Sequence, residues 1–401
     1  MKKEIPVSDL KLGMYVVQYG EGSFISPVTL VNRVMGSVED IQALRNQGVD
    51  MVIVDESKSA SANDSPVSSS QSSDNTTPSS YFQPSLTYSQ EIDFAKKAYG
   101  QALKFVENMF DSIRHGASFD YKDAEPFADD LVQTTSRNSL AATSLAIMRY
   151  EGDLQHHSVN VALLAGAFAH FLGLPESHIR KLILAGLFHD IGKVRISNSI
   201  WNKPGKLNDK EFAEVKLHPV IGYRLLSEQE DMDRDIAHAV LDHHEAINGS
   251  GYPNSKEGDD IHIFARVLSL VDIYDALASD RPYRLGMPPD EVVRCLYAQR
   301  KTRFFRDMLE RFVRFIGFYP VGSFVHLSDG RYGVVTNICK DSLFTPTVRV
   351  VLDRRLRPMR PESIDLAEQD TKTVTGGLSI KSCLNPGQYK VDVERLMAGW
   401  H

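Results

Sequence analysis

The spacing of apolar positions changes several times along the chain, and each change marks a boundary. Positions 14–17 and 51–54 are short apolar runs bounded by Gly13 and Asp55, which predicts two strands. Between them, Ser37 and Asp40 stand in capping-box-like spacing and Gly48 follows, which predicts a short helix. Residues 1–55 thus read as a small α/β module. The apolar pattern then stops. Positions 57–80 hold 11 Ser in 24 residues, too little apolar surface to offset the entropy of ordering, so 56–90 reads as a flexible linker. From Glu91 the pattern turns helical: Ala95, Ala98, Ala102, Val106, Met109 and Ile113 recur at steps of three and four, and Gly116 suits the end. A second amphipathic helix is expected within 124–149, and 154–316 continues as helices joined by polar loops. That makes 91–320 an all-α domain, with its motifs in 150–290. After Pro320, positions 323–327, a Ser328-Asp329-Gly330 turn and 333–335 predict a β-hairpin, and 348–352 adds a third strand. Residues 321–401 therefore read as a small β-rich region whose tail from about 370 is weakly ordered. The fold expected is multi-domain, with the helical part central.

Composition narrows the chemistry. The 401 residues are 42% hydrophobic and 24% charged, as in soluble globular proteins. A net charge of −7 argues against a general DNA or RNA binder, which needs a basic excess. Three cysteines without a CxxC pair exclude a disulfide framework or thiolate zinc site and fit a reducing compartment. Lys2 and Lys3 have no apolar run behind them, and the most apolar stretch, 159–174, is too short to span a membrane and contains Asn160 and His170. A cytoplasmic location without a membrane span is the expectation. Nothing in the pattern fixes the oligomeric state.

Histidine placement decides the rest. Ten of the 13 His lie between positions 156 and 262, several beside acids: His189-Asp190, and Asp242-His243-His244-Glu245, with Asp272 farther on. Imidazole and carboxylate at that density, without thiols, describe a site for Fe, Mn or Zn. His170, His178 and His238 match no motif and read as non-ligands. The basic run from Arg294 to Arg314 reads as a solvated helix face.

Six blocks then agree in order with one family. Leu187-Phe188-His189-Asp190-Ile191-Gly192-Lys193 resembles the signature of the HD phosphohydrolase superfamily. His243-His244-Glu245 with Asn248-Gly249-Ser250-Gly251-Tyr252-Pro253 resembles the extended mark of its HD-GYP subfamily. His157-Ser158, Lys203-Pro204-Gly205 leading to His218-Pro219, Asp272–Leu277, and Asp280-Arg281-Pro282-Tyr283-Arg284 are similar to the remaining blocks. Residues 1–55 resemble, more weakly, a module often fused to bacterial HD-GYP domains, which implies regulation by a protein partner or signal.

The resemblance implies metal-dependent hydrolysis of cyclic di-GMP to pGpG and on to GMP. It implies His157, His189, Asp190, His218, His243, His244 and Asp272 as ligands of two divalent ions, Fe or Mn, with Asp190 bridging them. Lys193 would then face the scissile phosphate, Arg281 and Arg284 would hold the dinucleotide's phosphates, and Tyr252 would stack on a base or donate to phosphate. Asp153 stands where some members carry a Glu that binds a third metal. Being one methylene shorter, it favours two metals, with three as the alternative. Two other readings stay open: a non-catalytic cyclic-dinucleotide receptor or adaptor, and a phosphodiesterase for mixed cyclic GMP-AMP.

Overall fold

In the computed structural model the chain forms two compact units, Met1–Ser80 and Tyr81–His401. The structure describes residues 2–11, 14–19, 33–34, 51–55, 84–148, 153–201, 203, 205–280, 285–338, 342–370, 377–389 and 391–398.

The first unit contains β1 (Lys2–Pro6), β2 (Tyr15–Tyr19), β3 (Arg33–Val34) and β4 (Met51–Asp55), paired antiparallel in the order β1-β4-β2-β3. Val16, Val52 and Val54 form its buried face. The sequence pattern does not signal β1, because an edge strand tolerates an exposed charge such as that of Lys3. The expected helix near 37–48 and the Ser-rich linker at 57–80 lie outside the described residues.

In the second unit, α1 (Tyr88–Arg114) starts three residues before the first predicted helical position. Thr87 and Gln90 close a capping box there, with Gln90 N donating to Thr87 Oγ1 at 3.3 Å and Thr87 N to Gln90 Oε1 at 2.9 Å. All six residues of its predicted apolar stripe are buried. Two helices, not one, occupy 124–149: α2 (Glu125–Arg137) and α3 (Ser139–Met148). Asn138 breaks them apart. It is extended (φ −158°, ψ 94°), its side chain accepting from Ala141 N at 3.1 Å and donating to Leu86 O at 2.9 Å.

The centre is α4 (Leu154–Phe171), buried continuously from His157 to Ala169 because helices cover it on every side. Against it lies α5 (Glu176–Phe188), close enough that a Cβ on Gly186 would stand 2.5 Å from Ala162 Cα. There follow α6 (Asp209–Val215), α7 (His218–Ser227), α8 (Arg234–Asp242), α9 (Ile263–Ala278), α10 (Pro289–Ala298) and α11 (Arg306–Ile316). Among the described residues, no helix is long and apolar enough to cross a membrane.

The C-terminal part of this unit holds five strands where three were expected. They are β5 (Phe324–Leu327), β6 (Tyr332–Asn337), β7 (Thr347–Leu352), β8 (Pro358–Asp365) and β9 (Ile380–Leu384), in the antiparallel order β8-β7-β6-β5-β9. The expectation of a weakly ordered tail is corrected for 377–398. There β9 pairs with β5, setting Val325 opposite Cys383, and α12 (Val393–Ala398) packs Val393, Leu396 and Met397 on Val321, Phe324 and Val334. A strand whose partner lies more than fifty positions away leaves little local signal.

Candidate metal centre

Each predicted ligand except His157 and Asp272 sits at a helix end. His189 caps the C-terminus of α5 and leads through Asp190 into the tight turn Ile191–Arg195. His218 opens α7, and His243 caps the C-terminus of α8 with His244 next. His157 and Asp272 come from the interiors of α4 and α9. Helix ends turn the chain sharply, so adjacent residues address one point. Gly192 permits the convergence: a Cβ there would fall 2.0 Å from His218 O.

The structure brings all seven together. Asp190 is fully buried and its two oxygens face different imidazoles. Oδ2 lies 3.3 Å from His189 Nε2 and 3.7 Å from His157 Nε2. Oδ1 lies 3.3 Å from His218 Nε2 and 4.0 Å from His243 Nε2. Asp272 repeats the division, with Oδ1 3.0 Å from His157 Nε2 and Oδ2 3.8 Å from His244 Nδ1. Three sets of ligand atoms each lie within 4.8 Å of one another: His157, His189 and Asp272; His189, Asp190 and His243; His218, His243 and His244.

Outer partners set the tautomers. Nδ1 of His189, His218 and His243 lies 2.7, 2.8 and 2.7 Å from the carbonyl oxygens of Gly186, Val215 and Val240. A carbonyl only accepts, so Nδ1 carries the proton and Nε2 turns its lone pair inward. His157 uses a carboxylate instead: its Nδ1 is 2.7 Å from Asp275 Oδ2. Asp275 Oδ1 accepts from Asn160 Nδ2 at 3.0 Å, and Asn160 Oδ1 accepts from Tyr99 OH at 2.8 Å. Sequence reading assigned no role to Asp275, Asn160 or Tyr99. The signal was present, since Asp275 follows Asp272, and Asn160 follows His157, by one helical turn.

The charges suit a cation. Burial, with the neighbouring Lys193, pushes His218 down to about 3, and burial with His189 takes His243 to about 4. Burial and His243 hold His244 well below the usual range. Burial would raise both carboxylates, but His189 and Lys193 around Asp190, and His157 and His244 around Asp272, hold them well below it. Burial lowers His157, yet its bonds to Asp272 and Asp275 outweigh that and raise it to about 9. At neutral pH three imidazoles are thus neutral and two carboxylates ionised, the form that binds metal. Two buried atoms of the centre, Asp190 Oδ1 and His244 Nδ1, find no hydrogen-bond partner among the described residues. Buried polar atoms seldom stay unpaired, and a divalent ion would satisfy both. The donor set fits.

Lys193, expected to face phosphate, pairs here with Asp190 Oδ2 and is largely buried. Asp153 is the N-cap of α4. Its Oδ1 accepts from His156 N at 2.8 Å and its Oδ2 lies 2.8 Å from His156 Nδ1, so the carboxylate is engaged outside the cluster. The Tyr252 ring packs tilted against that of His244, with centroids 4.7 Å apart, and the Tyr252 backbone N donates to His244 O at 3.2 Å. Burial, with the charges of Asp272 and Asp190, pushes its phenol up, so it remains a donor. Glu245 holds this loop: Oε1 accepts from Asn254 N at 2.7 Å and Oε2 from Lys256 N at 3.0 Å. Asn248 braces the turn, Oδ1 accepting from Ser250 N at 3.1 Å. Arg281 and Arg284 lie outside the described residues. His170, His178 and His238 belong to none of the ligand sets.

An HD domain family model matches residues 131–307, and a domain of unknown function matches 2–124. A cyclic di-GMP phosphodiesterase of Pseudomonas aeruginosa is 35% identical over 379 residues, covering 91% of this chain and 89% of that protein. A cyclic di-GMP phosphodiesterase response regulator of Xanthomonas campestris pv. campestris is 37% identical over 174 residues, 43% of this chain and 46% of its own. A 3'3'-cGAMP-specific phosphodiesterase of Vibrio cholerae is 33% identical over 180 residues, 45% of this chain and 34% of its own.

Proposed function

The chain belongs to the HD-GYP cyclic di-GMP phosphodiesterase family of HD domain phosphohydrolases, and on that premise we propose that its buried centre hydrolyses cyclic di-GMP to pGpG, and pGpG to GMP. One observation carries the reading: the two oxygens of Asp190 face two separate groups of imidazoles. That is what a carboxylate shared by two cations requires. His157, His189 and Asp272 would complete one cation's shell and His218, His243 and His244 the other's. A donor set of nitrogen and oxygen without thiolate suits Fe, Mn or Zn, and the family resemblance favours Fe or Mn among them. Bound there, a metal pair supplies an activated water and offsets charge that develops on the phosphate and the leaving oxygen.

The protein's own groups do the rest. Outer carbonyls and Asp275 hold the ligand nitrogens inward before any substrate arrives. Lys193 exchanges part of its pairing with Asp190 for the scissile phosphate, and Arg281 and Arg284 take the dinucleotide's phosphates by motif position. Tyr252 covers the His244 side and donates its hydroxyl. Because Asp153 caps α4, the reading is two metals, not three. Residues 1–55 would be regulatory, responding to a protein partner or signal, and the free thiols of Cys295 and Cys383 agree with a cytoplasmic setting.

The relative from Vibrio cholerae supports a second substrate, mixed cyclic GMP-AMP. The relative that matches along nearly the whole chain favours cyclic di-GMP. Protein purified without oxygen, assayed for metal and then given each dinucleotide, tests both. We expect about two metals per chain and pGpG from cyclic di-GMP, with activity lost on stripping and restored by Fe or Mn. Binding of cyclic di-GMP without turnover by fully loaded protein would mark a receptor instead.

A further inference from the structure

On the C-terminal sheet, Arg331, Asp353, Arg354, Arg355, Arg357 and Met359 line an open groove of about 540 Å3 beside the β7–β8 turn. Asp353 organises this turn. Its backbone N donates to Arg357 O at 2.9 Å, and Leu356 N donates to Asp353 O at 3.0 Å. Its Oδ1 accepts from Arg355 N at 2.8 Å and Arg357 N at 3.0 Å, while Oδ2 accepts from Arg357 Nε at 2.8 Å. Across the groove, Arg331 is held by Asp329 at 2.6 Å and Glu362 at 2.8 Å.

Those carboxylates neutralise Arg331 and Arg357 and fix them as walls. Arg354 and Arg355 are different: both are exposed, and neither makes an ion pair among the described residues. Arg354 is nevertheless not adrift. Its stem lies over Gly330, where a Cβ would stand 3.1 Å from Arg354 Cγ. Two guanidiniums without an ion-pair partner thus stand on adjacent residues of a braced turn, in a chain whose net charge is −7. A dianionic ligand would pair with both.

We infer that this groove is a second, non-catalytic site that binds a guanine nucleotide through a terminal phosphomonoester. A guanidinium fork matches phosphate oxygens in pairs, and a phosphomonoester carries nearly two charges for two free arginines. Arginine also reads the O6 and N7 edge of guanine, and Met359 offers an apolar floor for the base. The choice of nucleotide rests on the proposed function: adding water across a cyclic diester's P–O bond leaves one end as a 5′-phosphomonoester and the other as a hydroxyl. The products, not the substrate, carry the group this groove fits. A flat anionic membrane is a poorer match, because Asp329, Asp353 and Glu362 stand among the arginines.

The test uses the full chain stripped of metal, so that nothing is turned over, titrated with GMP and with pGpG by calorimetry; binding that survives Arg354→Glu with Arg355→Glu belongs to the catalytic centre and not to the groove. We expect saturable binding at one site per chain, absent with guanosine. Arg354→Glu with Arg355→Glu should weaken it at least tenfold, and Arg354→Ala with Arg355→Ala severalfold, with unchanged melting temperatures. Arg360→Glu, an exposed arginine outside the groove lining, should leave it intact. No saturable binding, equal weakening by Arg360→Glu, or binding only to phosphatidylglycerol vesicles would overturn the inference. Turnover of cyclic di-GMP by metal-loaded wild type is measured separately, so failure of the catalytic reading and failure of this site are distinguishable.

Discussion

Asp275 Oδ2 lies 2.7 Å from His157 Nδ1, and both groups are buried. This contact aims the opposite ring nitrogen of His157 at Asp272 and Asp190. For His189, His218 and His243 a main-chain carbonyl does that work, whereas at His157 a titratable side chain orients the imidazole.

Asp275→Asn should therefore weaken metal retention without removing a ligand. Loss of such an outer partner typically costs ten- to a hundredfold in affinity or activity. Activity measured against added Mn should recover at high metal; a variant inactive at every metal concentration would place Asp275 in the chemistry itself.

A proton should leave when metal binds. In stripped protein His157 is raised from 6.5 to about 9, so it is protonated at pH 7.5 and must lose that proton to become a ligand. Calorimetric metal titrations in buffers of different ionisation heat should show proton release at pH 7.5 that fades above pH 9. The sign for stability follows. A raised folded-state pKa contributes stability that is full below pH 6.5 and lost through pH 9, so the stripped protein should melt lower as pH climbs through that window.

Ligand and phosphate roles separate by substitution. Asp190→Ala should lose metal and turnover together, since both of its oxygens face imidazoles. Lys193→Ala should keep metal content and lose turnover. Equal loss of metal in the two variants would show that Lys193 acts by holding Asp190 in place.

Asp153→Ala should behave as the loss of a helix cap. Its bond to His156 N is worth about 1 kcal/mol at such positions, so the melting temperature should fall by a few degrees. Metal content should stay near two per chain; a decrease of one would return Asp153 to the metal shell.

Glu245→Gln should loosen the loop that carries Tyr252. The two Glu245 oxygens receive separate backbone N–H groups, and an amide can accept only one of them, leaving a partner that costs about 1–3 kcal/mol. KM for cyclic di-GMP should rise with metal content unchanged, and Glu245→Asp should rescue it incompletely. A fall in metal content would instead tie Glu245 to the neighbouring His243 and His244.

Much was legible from residue type and local period. The α1 stripe, the β5–β6 hairpin and the seven residues that the structure gathers at one point follow from spacing or motif, because helical repeat and side-chain chemistry are properties of short segments. What escaped the sequence depended on distant partners. The strand β9 lacks local contrast and exists by pairing with β5, and Asn138, where one expected helix splits, is held both locally by Ala141 N and by the distant Leu86 O.

The amino-acid sequence by itself determined which donors this protein brings to its centre: imidazoles and carboxylates in a set order, without thiols, and hence a class of metal and reaction. Tertiary structure alone decided how they meet. His157 and Asp275 are 118 positions apart, His218 on α7 and Asp190 in the turn after α5 are 28 apart, and no local rule fixes the angle between such segments. Only the packing of α4, α5, α7, α8 and α9 sets which oxygen of Asp190 faces which ring. The same packing assigns each imidazole its proton and leaves Asp153 as a helix cap, because these outcomes depend on distances that the closed core imposes.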